Sequence, residues 1–273
     1  MGTRREALSC LDHARAYIRL WSALMPSAAP FDARLIAVRK LSPGVREMIF
    51  ERVDGEPFVF DAGQWVNLLL PLPEGEVRRA YSIASAPAGT PRFELAVTRV
   101  EGGPGSEFLH AMEVGACVRA IGPHGLFTRS PQDPAPALFV ATGTGITPLR
   151  SMLHAALRAG SGARMWILFG ARFEEDILYR QELMELSRGS DRIRFEVTLS
   201  QGGASWSGRR GYVQQHVPEL LAELTAKQAV DDPGGVGPHL YICGLERMVN
   251  AVRELSRGTL GVERKRVHVE RYD

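Results

Sequence analysis

The chain has 273 residues, 45% of them hydrophobic and 23% charged, with 28 Gly and 17 Pro. That is ordinary globular composition and excludes a disordered, collagen-like or membrane-bundle chain. Charges nearly cancel, 33 Lys and Arg against 31 Asp and Glu, and without a long basic run a nucleic-acid partner is not expected. The length predicts two domains. Cys10, Cys117 and Cys243 lie far apart with no CxxC, so no iron–sulfur cluster is expected and a reducing compartment suits the thiols. No apolar run approaches the ~20 residues of a membrane span. Asp12, His13, Arg15 and Arg19 interrupt any signal-peptide block, and a cytoplasmic protein is expected.

In chain order, Leu8, Leu11, Ile18, Trp21 and Met25 have near-helical spacing, which predicts a short helix ended by Pro26 and Pro30. It would cap the body, with a partner-binding or membrane-surface helix as the alternative. From Phe31 the texture changes. Arg34–Val38, Val45–Arg52, Trp65–Leu70, Phe93–Val100 and Val118–Ile121 read as strands separated by Gly/Pro turns, which predicts a small antiparallel barrel. Ser130–Pro136, with three prolines, reads as a linker. Beyond it, strands Ala137–Ala141, Met165–Phe169, Arg194–Leu199, His239–Cys243 and Arg266–Val269 alternate with helices Pro148–Ala159, Ile177–Leu186, Val213–Leu224 and Arg247–Leu255. That rhythm predicts a parallel sheet covered by helices. The expected layout is therefore an extension (1–30), a barrel (31–132) and an α/β domain (133–273).

Several segments could carry chemistry. Thr142-Gly143-Thr144-Gly145-Ile146 leaves an apolar strand and enters a helix. Its glycines allow close backbone approach, and the helix N-terminus offers N–H groups to a phosphate; a plain strand-to-helix turn is the alternative. Arg79-Ala80-Tyr81-Ser82 combines a cation for a diphosphate, a ring that could stack and a hydroxyl. Pro104-Gly105-Ser106 opens a short helix and could cradle a second phosphate. Gly122-Pro123-His124-Gly125 reads as a tight turn, with His124 a turn residue rather than a base. Cys243-Gly244-Leu245 closes the fourth predicted parallel strand, where open sheets bind ligands. Glu270 and Tyr272 place a carboxylate and a ring near the end of the last strand.

Taken together and in order, these segments resemble the plant-type ferredoxin–NADP reductase superfamily over about Phe31 to Asp273. Arg79-Ala80-Tyr81-Ser82 resembles its flavin motif, Pro104-Gly105-Ser106 its FAD diphosphate loop, and Thr142–Ile146 its nicotinamide-dinucleotide loop. Tyr241–Leu245 and His268–Tyr272 resemble its nicotinamide site. The resemblance implies an FAD barrel followed by an NAD(P) domain. It implies Tyr81 and Tyr272 on opposite faces of the flavin, with Ser82, Cys243 and Glu270 around the hydride path. Ala96, Val97 and Thr98 are expected beside the flavin, and Gly244 and Leu245 beside the nicotinamide. The protein's share of such chemistry is alignment and electrostatics. Two departures stand out. Asp273 follows the tyrosine, so stacking could be looser. No aromatic residue lies between Val100 and Ser106 to stack on the FAD adenine, so weak retention of FAD is expected.

For the coenzyme, the resemblance assigns Ser200, Gln201, Arg210, Tyr212 and Gln214 to the adenosine end. Gln201 stands where NADP enzymes of the family carry arginine, while Arg172 resembles a phosphate position of bacterial members. Thr147 leans toward NADH-using relatives. NADP(H) is favoured over NAD(H), and Arg210→Ala is expected to weaken NADPH use while sparing NADH. The implied activity is electron transfer between NADPH and a ferredoxin or flavodoxin carrier. An NADH-dependent reductase component of an oxygenase or haem-protein system is the alternative. A monomer is expected, with Arg78, Arg119, Arg129, Lys265 and Arg266 as a basic rim for an acidic carrier. Residues 31–132, however, carry 11 Lys and Arg against 12 Asp and Glu, a net −1, so only a local patch could steer it.

Overall fold

The computed structural model describes residues 29–272; the helix expected over 4–25 and Asp273 lie outside them. The first half is antiparallel: β1 (Phe31–Ser42), β2 (Val45–Arg52), β3 (Trp65–Leu72), β4 (Gly75–Ser82), β5 (Arg92–Thr98) and β6 (Cys117–His124), with helix α1 (Pro104–Ala111) between the last two. Their order is β4-β3-β6-β1-β2-β5. Alternation builds the core: Phe31, Ala33 and Leu35 point inward from β1 while Asp32 and Arg34 face water. Phe50, Phe58 and Phe93 fill the centre, ring centroids 4.9–5.6 Å apart for Phe50–Phe93 and Phe58–Phe93. Past the end of β4, Ile83 bridges to Leu95 and the Ala84 N–H donates to the Glu94 carbonyl at 2.7 Å. That seam joins the two outer strands and closes the barrel.

The second half is a parallel sheet of β7 (Ala137–Thr142), β8 (Met165–Ala171), β9 (Ile193–Leu199), β10 (Arg209–Arg210), β11 (His239–Leu245) and β12 (Val267–Tyr272), in the order β10-β9-β8-β7-β11-β12. Helices α2 (Ile146–Arg158) and α3 (Arg180–Gly189) supply Leu149, Met152, Leu153 and Leu183 to a core on one face. Helices α4 (Val217–Asp231) and α5 (Glu246–Glu254) supply Leu220, Leu224, Val249 and Val252 to the other. The first of these cores also takes in Ala62, Ala84, Ala96 and Phe127 from the barrel side, so the two halves share apolar packing.

Three expected helices begin elsewhere for local reasons. The second-domain helix expected from Ile177 begins at Arg180, because Tyr179 is left-handed at φ 53° and cannot continue a helix backwards. The stretch expected as one helix from Val213 is a 3-10 turn at Val213–Gln215 and then α4, with Pro218 in its first turn, where a missing N–H costs nothing. Helix α2 starts two residues earlier than Pro148, directly off the glycine loop.

Candidate functional site

The two halves meet at a cleft of about 350 Å³. From the barrel come Arg79, Ala80, Tyr81 and Ser82 of β4, Ala96 and Thr98 of β5, and the turn Val100–Ser106 at the head of α1. From the α/β half come Thr144, Thr147 and Tyr272. Ser82 and Tyr272, 190 positions apart in sequence, are thus brought to one wall. Val97, expected with its neighbours, points into the barrel core with no exposed surface, and its carbonyl lies 2.9 Å from the His110 ring. Period-two alternation in β5 turns it away from the side that Ala96 and Thr98 line.

The head of α1 is open toward the cleft. Its first-turn N–H groups lack helical partners. Gly105 sits so close to Leu70 and Arg79 that a Cβ would lie 3.2–3.4 Å from their side chains. The Ser106 hydroxyl is held inside the turn, accepting from the Val100 N–H at 3.0 Å and donating to the Gly103 carbonyl at 3.0 Å. It therefore braces the loop instead of facing the cleft. Arg79 is exposed and makes no ion pair among the described residues, which leaves its charge available at the same end.

The second glycine loop divides its labour. Gly143 is left-handed at φ +53° with open space before it, the condition for close approach of a ligand. Gly145 is required for an internal reason: a Cβ there would lie 2.2 Å from the Cys243 carbonyl oxygen. The loop crosses the end of β11 at that point, and a Cβ on Gly244 would likewise lie 2.4 Å from the Thr142 hydroxyl oxygen. Thr142 Oγ1 is buried without a hydrogen-bond partner.

Beside the cleft four expected residues come together. Register aligns Cys243 of β11 with Glu270 of β12, and Leu245 with Tyr272. The Tyr272 hydroxyl donates to Ser82 Oγ at 2.6 Å, and Ser82 donates to Glu270 Oε2 at 3.2 Å. Cys243 Sγ lies 4.0 Å from the same carboxylate oxygen. Burial pushes Glu270 up to about 7, against the pull of the Ser82 hydrogen bond. Burial likewise raises Tyr81 to about 12 and holds Tyr272 and the Cys243 thiol well above their ordinary values. The tyrosine hydroxyl and the thiol thus keep their protons around neutral pH, while Glu270 is poised there to give or take one.

Of the adenosine-end candidates, Arg172 follows β8, Ser200 and Gln201 follow β9, Arg210 lies in β10, and Tyr212 and Gln214 lie just beyond it. Ser200, Gln201 and Tyr212 are exposed and Gln214 is half-buried. Arg210 differs from expectation: its guanidinium donates to the carbonyls of Gly202, Gly203 and Trp206 at 2.7–2.8 Å. It braces the turn between β9 and β10 as well as charging it. Arg172 is exposed and unpaired among the described residues.

The expected basic rim is not continuous. Arg129 is buried, held by Asp133 at 2.7 Å and by the Ala135 carbonyl. Arg119 pairs with Glu76, and Lys265 and Arg266 share Glu263. Sequence reading passed over Arg150, a buried cation between the two halves. An arginine amid the apolar spacing of α2 was the signal, since such a position is rarely filled by an unpaired charge.

The sequence profile of the oxidoreductase FAD-binding domain matches residues 32–128, and that of the oxidoreductase NAD-binding domain matches residues 139–254. The chain is 72% identical over 249 residues to ferredoxin–NADP reductase B of Sorangium cellulosum, covering 91% of this chain and all of that one. It is 30% identical over 218 residues to the glycine betaine monooxygenase reductase subunit of Pseudomonas aeruginosa, of whose length it spans 57%. Among solved structures, a cytochrome P450 reductase of Amycolatopsis superposes with a TM-score of 0.73 at 26% identity, over 89% of this chain and 69% of that one. The ferredoxin–NADP+ reductase of Plasmodium falciparum, solved with 2′P-AMP, superposes at 0.71 and 23% identity over 89% and 96%, a likeness of fold.

Proposed function

Because the chain belongs to the ferredoxin–NADP reductase family, we propose that it moves electrons between NADPH and a one-electron carrier, a ferredoxin or flavodoxin, through FAD. The observation that carries this is the Tyr272–Ser82–Glu270 chain, joined across the two halves at a cleft that both nucleotide loops border. Residues 31–132 are taken as the flavin domain and 133–273 as the coenzyme domain.

The residues fit the groups. An FAD diphosphate suits the unpaired Arg79 beside the N–H groups of α1, and the coenzyme diphosphate suits the open side of Gly143. When bound, FAD supplies an acceptor for two electrons as a hydride and a donor of single electrons. Tyr81 and Tyr272 would flank its ring, with Ala80, Ala96 and Thr98 alongside. Ser82 would orient the ring edge by hydrogen bonding. Glu270 would hold the proton exchanged there and pass it through Ser82. Cys243, buried and neutral, would shape the wall against which the nicotinamide lies, next to Gly244 and Leu245. At the far end Arg172 and Arg210 would meet a 2′-phosphate, with Ser200, Gln201, Tyr212 and Gln214 around the adenosine.

The test is an anaerobic visible spectrum of the purified protein with one equivalent of NADPH and, separately, NADH, followed by addition of an oxidised ferredoxin or flavodoxin. Rapid bleaching by NADPH and reoxidation by the carrier are expected. Faster bleaching by NADH would instead make the chain a reductase component of an oxygenase or haem-protein system, with Gln201 and Thr147 as the residues to examine. A protein that neither carries nor binds FAD would refute both.

A further inference from the structure

Helix α2 starts at the glycine loop and then runs along the barrel. One side of it presents Thr147, Arg150, Ser151, His154 and Arg158, the i, i+3, i+4 spacing of a single helical stripe. Three of these side chains donate to carbonyls of one barrel segment: Arg150 to Ala84 at 2.8 Å, Ser151 to Ser85 at 2.6 Å, and Arg158 to Pro87 at 3.4 Å. That segment directly follows Ser82. The helix is therefore railed to the continuation of the flavin-motif strand.

Arg150 is the centre of the rail. Its side chain is only 9% exposed, and its planar fork holds two carboxylates from opposite halves. Nη1 donates to Glu94 of β5 at 2.8 Å; Nε and Nη2 donate to Glu182 of α3 at 2.7 and 2.9 Å. The guanidinium lies 4.6 Å from the ring of Tyr179, the left-handed residue that starts α3. His154 adds a 2.6 Å contact to the same Glu182 oxygen. Glu94 and Ala84 are the two residues whose backbones close the barrel seam. Arg150 thus grips that seam from the other domain, one helical turn from Thr147 in the cleft wall.

We propose that Arg150 is a positioning residue for hydride transfer: it fixes α2 and its glycine loop against the flavin half, so that a coenzyme held on the loop reaches the flavin at reacting distance. The proposal rests on the reductase reading above. Bidentate arginine geometry suits the task, because two fixed hydrogen bonds define an orientation that a point charge does not. Misplacement by about 1 Å costs on the order of 100-fold in rate.

The test compares Arg150→Met, Arg150→Lys, Glu94→Ala and Glu94→Gln with the wild type, all saturated with FAD. Stopped-flow bleaching gives the limiting reduction rate and, from its NADPH dependence, the coenzyme affinity. Amide hydrogen exchange without coenzyme reports on residues 84–87 and 146–158. Arg150→Met is expected to lower the limiting rate about 100-fold with affinity changed less than about 3-fold. Arg150→Lys and Glu94→Ala should fall between, and Glu94→Gln, which keeps an acceptor, should stay near wild type. Exchange in the two segments should rise about 10-fold in Arg150→Met while β7 stays protected. An unchanged limiting rate, or a loss confined to affinity, overturns the proposal. If Arg150→Met does not fold, the two Glu94 variants decide by the same criteria. Were the wild-type flavin reduced by neither coenzyme, the reductase reading would fail, and unchanged exchange in the variants would separately sink the rail.

Discussion

A carboxyl that stays protonated to about pH 7 in the folded protein leaves a thermodynamic trace that needs no turnover. Glu270 is raised by burial to about 7 from an ordinary 4.5. Below pH 4.5 both the folded and the unfolded chain hold the proton, and the residue is neutral in the balance. Between those values the unfolded chain releases the proton while the folded chain keeps it. Stability therefore falls as pH rises, by about 1.4 kcal/mol per pH unit, and levels off above 7. The full shift corresponds to about 3 kcal/mol as an upper bound, reduced by the half-exposed position of the side chain. Glu270→Gln removes the titration while keeping an acceptor for Ser82. The assay is guanidinium unfolding of both proteins at pH 4.5 to 8.5 with fixed excess FAD. The variant should gain about 1–3 kcal/mol relative to wild type between the ends of that range, because every other titrating group is common to both. Parallel curves would refute the assignment of a raised carboxyl to this position.

Other expectations follow from the same geometry. Gly145→Ala should lose about 2 kcal/mol or more in chemical denaturation, since its Cβ would overlap the Cys243 carbonyl, whereas Gly143→Ala should cost about 1–2 kcal/mol from its left-handed φ alone. Burial alone would raise Glu182, but His154 and Arg150 outweigh it and hold the carboxyl down at about 2; Glu182→Gln should thus be less stable than wild type above pH 4.5, with the gap closing as acid approaches pH 2. Arg172→Ala should raise the KM for NADPH about 10-fold and leave that for NADH alone, the loss of one charge-assisted hydrogen bond. Arg210→Ala should weaken NADPH more than NADH but affect both, because the residue also holds the Gly202–Trp206 turn. Equal KM values in Arg172→Ala and wild type would count against that 2′-phosphate partner.

Most strands were legible because they alternate or are continuously apolar: β2 begins and ends where Val45 and Arg52 predict, and β7 and β8 are runs of buried side chains. The bounds of strand β4 were not legible, because Gly75–Ala80 is mostly exposed and carries no core pattern; pairing with β3 defines them. The motif residues were legible as types, but Cys243 and Glu270 came together through strand register and Ser82 met Glu270 and Tyr272 across the two halves, which spacing along the chain cannot reveal. Ser106 and Arg210 show the converse. Each has the chemistry of a ligand contact, yet its donors are turned to loop carbonyls that only the folded turn brings near. Arg150 was hidden because its partners, Glu94 and Glu182, lie 56 and 32 residues away.

The crossing of Gly145 over Cys243 also bears on how such a protein can change over generations. At that crossing a single methyl group collides with backbone, so Gly145, in the loop proposed for the coenzyme diphosphate, is nearly closed to substitution. Arg172, Ser200 and Gln201 stand in water on loops outside both cores, where replacements disturb no packing. On the adenosine-end assignment proposed above, coenzyme preference can therefore change at those loops with little penalty in folding, while the Gly145 crossing resists replacement.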